Sequence, residues 1–530
     1  MKRRDFVGVL ALTSGAAASA KKSLPVTASA FDVTEKTVAQ LQEALAGGAL
    51  NSEQLVKLYL ARIAALDKAG PKLNSIIELN PDALTIATAL DAERKAKGPR
   101  GPLHGIPVLL KDNIATADGM QTTAGSLALV GAKPPRDAFL VAQLRQAGAV
   151  ILGKTNLSEW ANMRSTRSTS GWSARGGLTR NPYALDRNTS GSSSGSGSSM
   201  AASLAAIAVG TETDGSITSP ASLAGLVGIK PTVGLVSRAG VIPISHSQDT
   251  AGPMTRTVAD AAALLTALAG SDARDPATAL ADRKKTDYTQ ALDRNGLKGK
   301  RLGVVRAQWT ASNDLVAAAI RSQLAVLSAQ GAVLIDIPEV PNTDKYGDSE
   351  LTVLLYELKA GLADYLEEYA PTSRVKSLAD LIVFNNEHLD QELAYFGQEH
   401  FINANSKGDL STQEYKDALA NNHRYARAEG IDQVLQEHKL DALVAPTGGT
   451  AWLTDFINGD AYGSSFSSPA AVAGYPHITV PAGMVRGLPV GLSFVGTAWT
   501  EAPLIAMAYA YEQASLKRRA PSFAKSVNPK

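Results

Sequence analysis

The most informative part of the 530-residue chain is a pair of Gly/Ser-rich stretches, Gly191-Ser192-Ser193-Ser194-Gly195-Ser196 and Gly210-Thr211-Glu212-Thr213-Asp214-Gly215-Ser216. The apolar run 200–209 separates them, so the first stretch leads directly into a buried element. A flexible Gly/Ser linker between domains rarely ends in this way. The pattern instead favours a loop where the backbone approaches a reacting group closely, which Gly and Ser permit.

Around these stretches the chain alternates predicted helices and strands. Asn51 and Ser52 are predicted to cap a helix. A helix over 137–147 ends at Gly148 and precedes a strand at 150–152. The same order recurs in a helix over 313–329 and a strand at 333–337, and further strands are predicted at 103–110, 442–444, 478–480 and 490–495. This alternation predicts an α/β fold with a single large mixed, mostly parallel β-sheet sandwiched by helices.

A long segment near the middle of the chain has a helical pattern only. Between residues 351 and 440, the apolar positions 351, 354, 355, 358, 362 and 365 share one helical stripe. We therefore predict a helical cap at about 351–440, set into one sheet domain that covers residues 21–530.

The first twenty residues have the layout of a secretory signal peptide. Lys2, Arg3 and Arg4 precede a mildly apolar stretch, and Ala18-Ser19-Ala20 forms a cleavage site. The paired arginines favour the twin-arginine route over general secretion. No later apolar run approaches the ~20 residues that span a bilayer. We expect the exported form to start after residue 20 and to be periplasmic, with no membrane partner.

Composition excludes several classes of chemistry. The chain has no Cys, which excludes disulfides, thiolate metal sites and a cysteine nucleophile. Lys+Arg (52) nearly balance Asp+Glu (50), so a basic face for nucleic acid is not predicted. No H-E-x-x-H or comparable ligand spacing is present, and therefore neither a metal nor another cofactor is implied.

Three short patterns suggest other chemistries but stand in the wrong context. The segment 148–155 matches the phosphate-loop pattern, yet the residues between its glycines are apolar and predict a buried strand. The segment 191–195 matches G-x-S-x-G with Ser193 at its centre, but polar residues precede it instead of a strand. The segment 373–376 matches S-x-x-K inside the predicted cap, where a solvated helix face is the simpler interpretation.

Together with other segments, the two Gly/Ser-rich stretches resemble the amidase signature family over roughly residues 35–520. The further matching segments are His104–Asn113, Lys154–Trp160, Gly228–Ser237, Gly252–Met254, Val258–Asp260 and Gly487–Gly491. Ser194 departs from the pattern, because the family often has Gly there. Within the family, the segments 172–177 and 247–250 look closest to bacterial peptide amidases, which remove the C-terminal amide of peptides.

The resemblance implies a Ser–Ser–Lys triad and a covalent acyl-enzyme. Ser216 matches the nucleophile, Ser192 the bridging serine on a cis peptide bond, and Lys111 the terminal base. The resemblance also implies that Ser193 holds Lys111 by a hydrogen bond, and that an oxyanion hole forms from the backbone amides of Thr213, Asp214, Gly215 and Ser216. A lysine can accept a proton only when it is neutral, and burial lowers its pKa toward neutrality.

Other functions remain open at this stage. A peptide amide is the expected substrate, and hydrolysis of aryl or fatty-acid amides is the nearest alternative. The family is also similar to the amidotransferase A-type subunit, but the predicted signal peptide argues against a cytoplasmic complex of that kind. A binding protein that has lost activity is disfavoured because Lys111, Ser192 and Ser216 are all present.

Overall fold

An eleven-stranded β-sheet forms the centre of the protein in this computed structural model, which describes residues 31–527. The predicted signal peptide, residues 1–20, lies outside the described residues. The strands are β1 (Ile76–Leu79), β2 (Pro107–Lys111), β3 (Val150–Thr155), β4 (Trp172–Ser173), β5 (Gly177–Leu178), β6 (Ile207–Glu212), β7 (Val227–Lys230), β8 (Thr250–Thr255), β9 (Arg301–Val305), β10 (Val333–Ile337), β11 (Ala442–Pro446), β12 (His477–Val485) and β13 (Leu488–Val495). The sheet order is β1-β3-β2-β6-β8-β7-β12-β13-β11-β9-β10, while β4 and β5 form a separate ribbon.

The α-helices are α1 (Val38–Ala46), α2 (Ser52–Arg62), α3 (Ala83–Lys97), α4 (Phe139–Gln146), α5 (Ser194–Ala201), α6 (Thr218–Leu223), α7 (Val258–Leu268), α8 (Ala281–Lys284), α9 (Arg306–Ala311), α10 (Asp314–Ala329), α11 (Gly347–Tyr369), α12 (Leu378–Glu387), α13 (Leu389–Glu392), α14 (Glu399–Ser406), α15 (Gln413–His423), α16 (Asp432–Glu437), α17 (Ser468–Ala473) and α18 (Glu501–Ser515). Among them, α6, α7, α10 and α18 pack on the sheet. Asn51 caps α2, as its sequence predicts, by accepting the Gln54 N–H. No described helix is both long and apolar enough to cross a membrane.

The predicted mixed sheet covered by helices is confirmed, with one difference in strand direction. Four described pairings of the large sheet are parallel: β2 with β3 and β6, and β9 with β10 and β11. Six are antiparallel, so the expected excess of parallel pairs is not observed. One cause is the tight turn between β12 and β13, where Arg486 and Gly487 both have positive φ and reverse the chain.

The sheet brings Lys111 and the turn 213–216 to the same edge. β2 and β6 are parallel neighbours, with Leu110 opposite Val209. The carboxyl ends of parallel strands lie at the same edge of a sheet, where α/β proteins commonly bind ligands. Lys111 ends β2 there, and the turn 213–216 follows the end of β6 at the same edge.

Between β10 and β11 the described elements are helices, α11 to α16. The longest, α11, buries Leu355, Leu358 and Leu362 and packs against α14 and α15. The S-x-x-K segment lies in the loop between α11 and α12, where Ser373 is buried and accepts the Val375 N–H. The predicted solvated helix face is therefore wrong, because Pro371 favours an extended chain just after α11 ends.

Candidate active site

Lys111 is fully buried, and its amine contacts two hydroxyl groups. Its Nζ donates to Ser192 Oγ at 2.7 Å and to Thr211 Oγ1 at 2.8 Å. It also lies 3.3 Å from the Thr211 carbonyl oxygen. Burial lowers the pKa of Lys111 from 10.5 to about 7, and the charges of Asp249 and Glu212 offset part of this effect. A large fraction of this amine is therefore neutral near pH 7.

Two other buried lysines show what is particular about Lys111. Lys154 donates to the Ile114 carbonyl at 2.6 Å and to Thr122 Oγ1 at 2.8 Å, and Lys230 donates to the Tyr475 carbonyl at 2.7 Å. Burial lowers the pKa of both amines to about 8. A carbonyl oxygen can only accept, whereas a hydroxyl can also give a proton to a neutral amine. Lys111 differs from the other two lysines because one of its hydroxyl partners, Ser192, lies on the loop that is hydrogen-bonded to Ser216.

The segment that matches the phosphate-loop pattern contains a strand of the large sheet. Residues 150–155 form β3, and all six are buried. The backbone of this segment is paired with β1 and β2, so its amides are committed to the sheet. The predicted buried strand is correct, and Lys154 at its end does not form a phosphate loop.

Ser192 and Ser193 stand at the start of α5, directly beside Lys111. The peptide bond between Gly191 and Ser192 is cis. Ser193 Oγ donates to the Thr211 carbonyl at 3.1 Å and accepts the Thr211 N–H at 3.2 Å. The expected hydrogen bond from Ser193 to Lys111 is not among those of the described residues. Ser193 instead supports Lys111 indirectly, because it fixes Thr211.

The glycine spacing of the first stretch has a steric reason. A Cβ at Gly195 would lie 2.3 Å from the Ser75 carbonyl oxygen and 2.4 Å from that of Asn156. Such distances leave no room for a side chain. Ser194, where the family often has Gly, is accommodated because its Oγ donates to the Ser190 carbonyl at 2.7 Å.

The turn 213–216 presents a row of backbone N–H groups. The Glu212 carboxylate holds the far side of the turn by accepting the N–H groups of Ile217 (2.7 Å) and Thr218 (2.8 Å). Gly215 has φ = 77°, a left-handed conformation that favours glycine and directs the turn. Among the hydrogen bonds of residues 31–527, none uses the N–H groups of residues 213–216. These four donors can therefore bind a developing oxyanion, for which one donor typically supplies ~3–4 kcal/mol.

Ser216 ends this turn and lines a cavity. Its carbonyl accepts the Ser193 N–H at 3.2 Å, which ties it to the loop that carries Ser192. The cavity has a volume of about 300 Å³, and its wall includes Ala161, Asn162, Met163, Ile244, Leu354 and Tyr462. Among the hydrogen bonds of the described chain, none joins the hydroxyls of Ser192 and Ser216. The structure thus brings Lys111 and Ser192 into direct contact and places Ser216 beside them through the main chain.

Sequence analysis places Thr211 and Asp249 in motifs but assigns neither of them a role. Thr211 Oγ1 also accepts from Asn113 Nδ2 at 3.0 Å, so it fixes the amine of Lys111 within a polar network. Asp249 accepts from Thr213 Oγ1 at 2.5 Å, which fixes the start of the turn. Polar residues at positions 211 and 212, at the end of a fully buried strand, are the signal that could have identified Thr211.

Comparison with known proteins defines the class of enzyme. A family model described as Amidase matches residues 54–505. The structure is similar to that of a peptide amidase in complex with the competitive inhibitor chymostatin: 54% identity, TM-score 0.90, covering 93% of this chain and 100% of the other. It is also similar to native peptide amidase from Stenotrophomonas maltophilia: 54% identity, TM-score 0.89, covering 92% and 99% of the two chains. The protein is therefore a hydrolase that acts on amide C–N bonds.

More distant relatives extend the same assignment. A probable amidase of Arabidopsis thaliana is 44% identical, with 93% of each chain covered. The A-type subunit of the glutamyl-tRNA(Gln) amidotransferase of Myxococcus xanthus is 35% identical, covering 91% of this chain and 98% of the relative. The chain belongs to the amidase signature family.

Proposed function

We propose that this enzyme removes the C-terminal amide of peptides through a covalent acyl-enzyme on Ser216. The proposed catalytic mechanism is supported by the 2.7 Å contact between Ser192 and the buried, weakly basic Lys111. The identity of 54% to two peptide amidase structures supports the choice of substrate. The products are a peptide with a free carboxylate and ammonia.

The first half of the reaction acylates the enzyme. Neutral Lys111 takes the proton of Ser192 while Ser192 takes the proton of Ser216, because one hydroxyl can both donate and accept. The Ser216 oxygen then attacks the amide carbon. Negative charge develops on the amide oxygen, and the free N–H groups of the 213–216 turn are positioned to bind it.

The proton then returns along the same path. Protonated Lys111 gives it back to Ser192, and Ser192 delivers its own proton to the amide nitrogen. The C–N bond breaks, ammonia leaves, and an ester remains on Ser216. Water attacks this ester, and its proton moves to Lys111 through Ser192. The bond between the carbon and the Ser216 oxygen then breaks, Lys111 returns the proton to that oxygen through Ser192, and the product leaves as an acid that ionises to the carboxylate.

The cavity supports a substrate with an apolar side chain near the reacting amide. Met163, Ile244 and Leu354 line it together with Ser216. Its volume, about 300 Å³, lies at the lower end of the range for small-molecule sites. Such a cavity suits the last residue or two of a peptide better than a long acyl chain.

The proposed substrate is tested by measuring ammonia release from a set of amides under identical conditions. The set contains peptides with a C-terminal amide, the same peptides with a free carboxylate, simple aryl amides and a fatty-acid amide. We expect the peptide amides to react with the highest kcat/KM and to gain the mass expected for conversion to the acid. Higher kcat/KM for aryl or fatty amides would assign the enzyme to those substrates instead. Glutamine-dependent amide transfer, with a co-purifying partner, would favour the amidotransferase alternative.

Chelation is expected to leave activity unchanged. Lys111, Ser192 and Ser216 carry out every proton transfer to the amide nitrogen and from water in the proposed reaction, so no step calls for a bound metal. The measurement is the rate of ammonia release before and after dialysis against a chelator. A loss of activity that added metal restores would contradict the proposed mechanism.

A further inference from the structure

The turn 160–163 forms one wall of the active-site cavity and has an unusual backbone. Trp160, Ala161 and Asn162 have φ angles of 48°, 53° and 72°, so three successive residues other than glycine adopt the left-handed conformation. This conformation costs free energy in residues with a Cβ, and it persists where the surrounding structure fixes it. Ala161, Asn162 and Met163 line the cavity. The shape of this wall therefore depends on the contacts that hold the turn.

Arg164 joins the two ends of this turn. Its Nη1 lies 2.8 Å from Oε1 of Glu159, the residue before the turn, and neither side chain is exposed to solvent. Oε2 of Glu159 accepts the Ala174 N–H at 2.6 Å, which fixes that end to the ribbon of β4 and β5. The Arg164 carbonyl accepts the His400 N–H at 3.1 Å, which fixes the other end to α14. A short, buried ion pair thus closes a turn whose residues line the cavity.

The guanidinium of Arg164 also reaches the helices between β10 and β11. It donates to the Glu392 carbonyl oxygen at the end of α13, and it lies 3.7 Å from Oε2 of the same residue. It also packs over the Phe396 ring, 4.2 Å from the ring centroid. Glu392 is buried, and its Oε1 accepts the Ser126 hydroxyl at 3.0 Å and the Leu127 N–H at 2.7 Å. Arg164 therefore connects the cavity wall to a helix that is itself fixed to the rest of the protein.

We propose that Arg164 is a positioning residue that determines substrate preference, because it holds the turn 160–163 in the shape that receives the side chain next to the reacting amide. The inference rests on the proposed function, in which the cavity binds the last residue of a peptide amide. Arg164 is fully buried and is not among the described residues that line the cavity. It therefore acts through Met163 and its neighbours in the turn. Loss of the Arg164 side chain should loosen this wall and weaken the preference for an apolar side chain.

The first test compares two peptide amides that differ only in a last residue of leucine or glycine. The wild type should prefer the leucine amide by at least about tenfold in kcat/KM, because an apolar cavity discriminates by the methylene groups that it buries. Arg164→Met should reduce this ratio at least about threefold. The ratio does not depend on the fraction of enzyme that is folded, so general destabilisation leaves it unchanged. The control Arg167→Met, at an exposed arginine of the same loop, should keep the wild-type ratio.

Glu159→Gln tests the same ion pair from its other member. Glutamine has nearly the shape of glutamate and can still accept the Ala174 N–H, but it lacks the negative charge beside Arg164. It should reduce the leucine-to-glycine ratio at least about twofold. Removing the cation of a buried pair is strongly destabilising, and if Arg164→Met does not fold, Glu159→Gln decides the test. An unchanged ratio in a folded Arg164→Met or in Glu159→Gln would overturn the inference, as would a wild type that hydrolyses both amides equally well.

Hydrogen exchange measured by mass spectrometry needs no substrate. The N–H groups of Trp160 and Met163 donate to carbonyl oxygens at 3.0 Å and 2.9 Å. Arg164→Met and Glu159→Gln should speed exchange in a peptide that covers the turn at least about tenfold, while a peptide that covers β3 stays within about twofold of the wild type. Equal acceleration in both peptides, or none in either, would overturn the inference. Failure of the proposed function would appear separately, as absence of peptide-amide hydrolysis by the wild type.

Discussion

Replacing Ser216 with alanine should lower kcat/KM by about 10⁴-fold or more. The alanine side chain has no oxygen to form the ester, so the covalent path is lost, and only the weak effect of binding and the N–H donors remains. The measurement is ammonia release from a peptide amide, together with mass spectrometry of the enzyme after rapid quenching. The wild type should show the mass of an acyl-enzyme, and Ser216→Ala should not.

A matched control is Ser322→Ala, an exposed serine on α10 that is remote in sequence from the cavity-lining segments. It should keep wild-type kcat/KM. Both variants should unfold at temperatures close to that of the wild type, since Ser216 Oγ has no hydrogen bond among those of the described residues. Wild-type turnover by Ser216→Ala would refute the assignment of the nucleophile.

Replacing Lys111 with methionine should lower kcat by about 10³-fold, within the usual range for loss of a general base. Methionine keeps much of the side-chain volume but cannot accept a proton from Ser192. In the wild type, activity should rise as the pH increases through about 7, because Lys111 acts in its neutral form. The control is Lys95→Met, an exposed lysine on α3, which should leave both the rate and the pH profile unchanged.

Lys111→Met should also change how the free energy of unfolding depends on pH. The pKa of Lys111 is about 7 in the folded protein and about 10.5 in the unfolded chain, so the unfolded chain binds one more proton between these values. This group therefore makes the free energy of unfolding rise with pH from about 7 to about 10.5, and Lys111→Met should lack that contribution. Chemical denaturation at several pH values measures the free energy of unfolding of both proteins. The same dependence on pH in the wild type and in Lys111→Met would contradict a neutral Lys111.

Local patterns in the sequence predicted much of the secondary structure. The predicted strand at 333–337 is β10, and the predicted helix at 313–329 is α10, with Asn313 as its cap. The strand at 150–152 extends further than predicted, to residue 155, because Gly153 and Lys154 continue the pairing with β1 and β2. The glycine and the charged lysine concealed this in the sequence, since the buried Lys154 amine is satisfied by contacts distant along the chain.

The active site was predicted less completely than the secondary structure, because some of its contacts join residues that are distant along the chain. Lys111, Ser192 and Ser216 could be proposed because they lie in the short motifs that resemble the amidase signature family. The contact between Gln248 and Glu350 joins residues 102 positions apart, and only the packing of α11 brings them together. Similarly, antiparallel pairing at the centre of the sheet depends on which strands become neighbours, which local alternation does not specify.

The proposed mechanism requires that the resting enzyme contain a lysine amine that is largely uncharged near neutral pH. NMR titration of the protein labelled with ¹³C at lysine Cε, with the Lys111 signal assigned by its loss in Lys111→Met, measures this directly. We expect this signal to titrate near pH 7, far below the ordinary value of 10.5. A Lys111 amine that stays protonated up to pH values near 10.5 would contradict the mechanism.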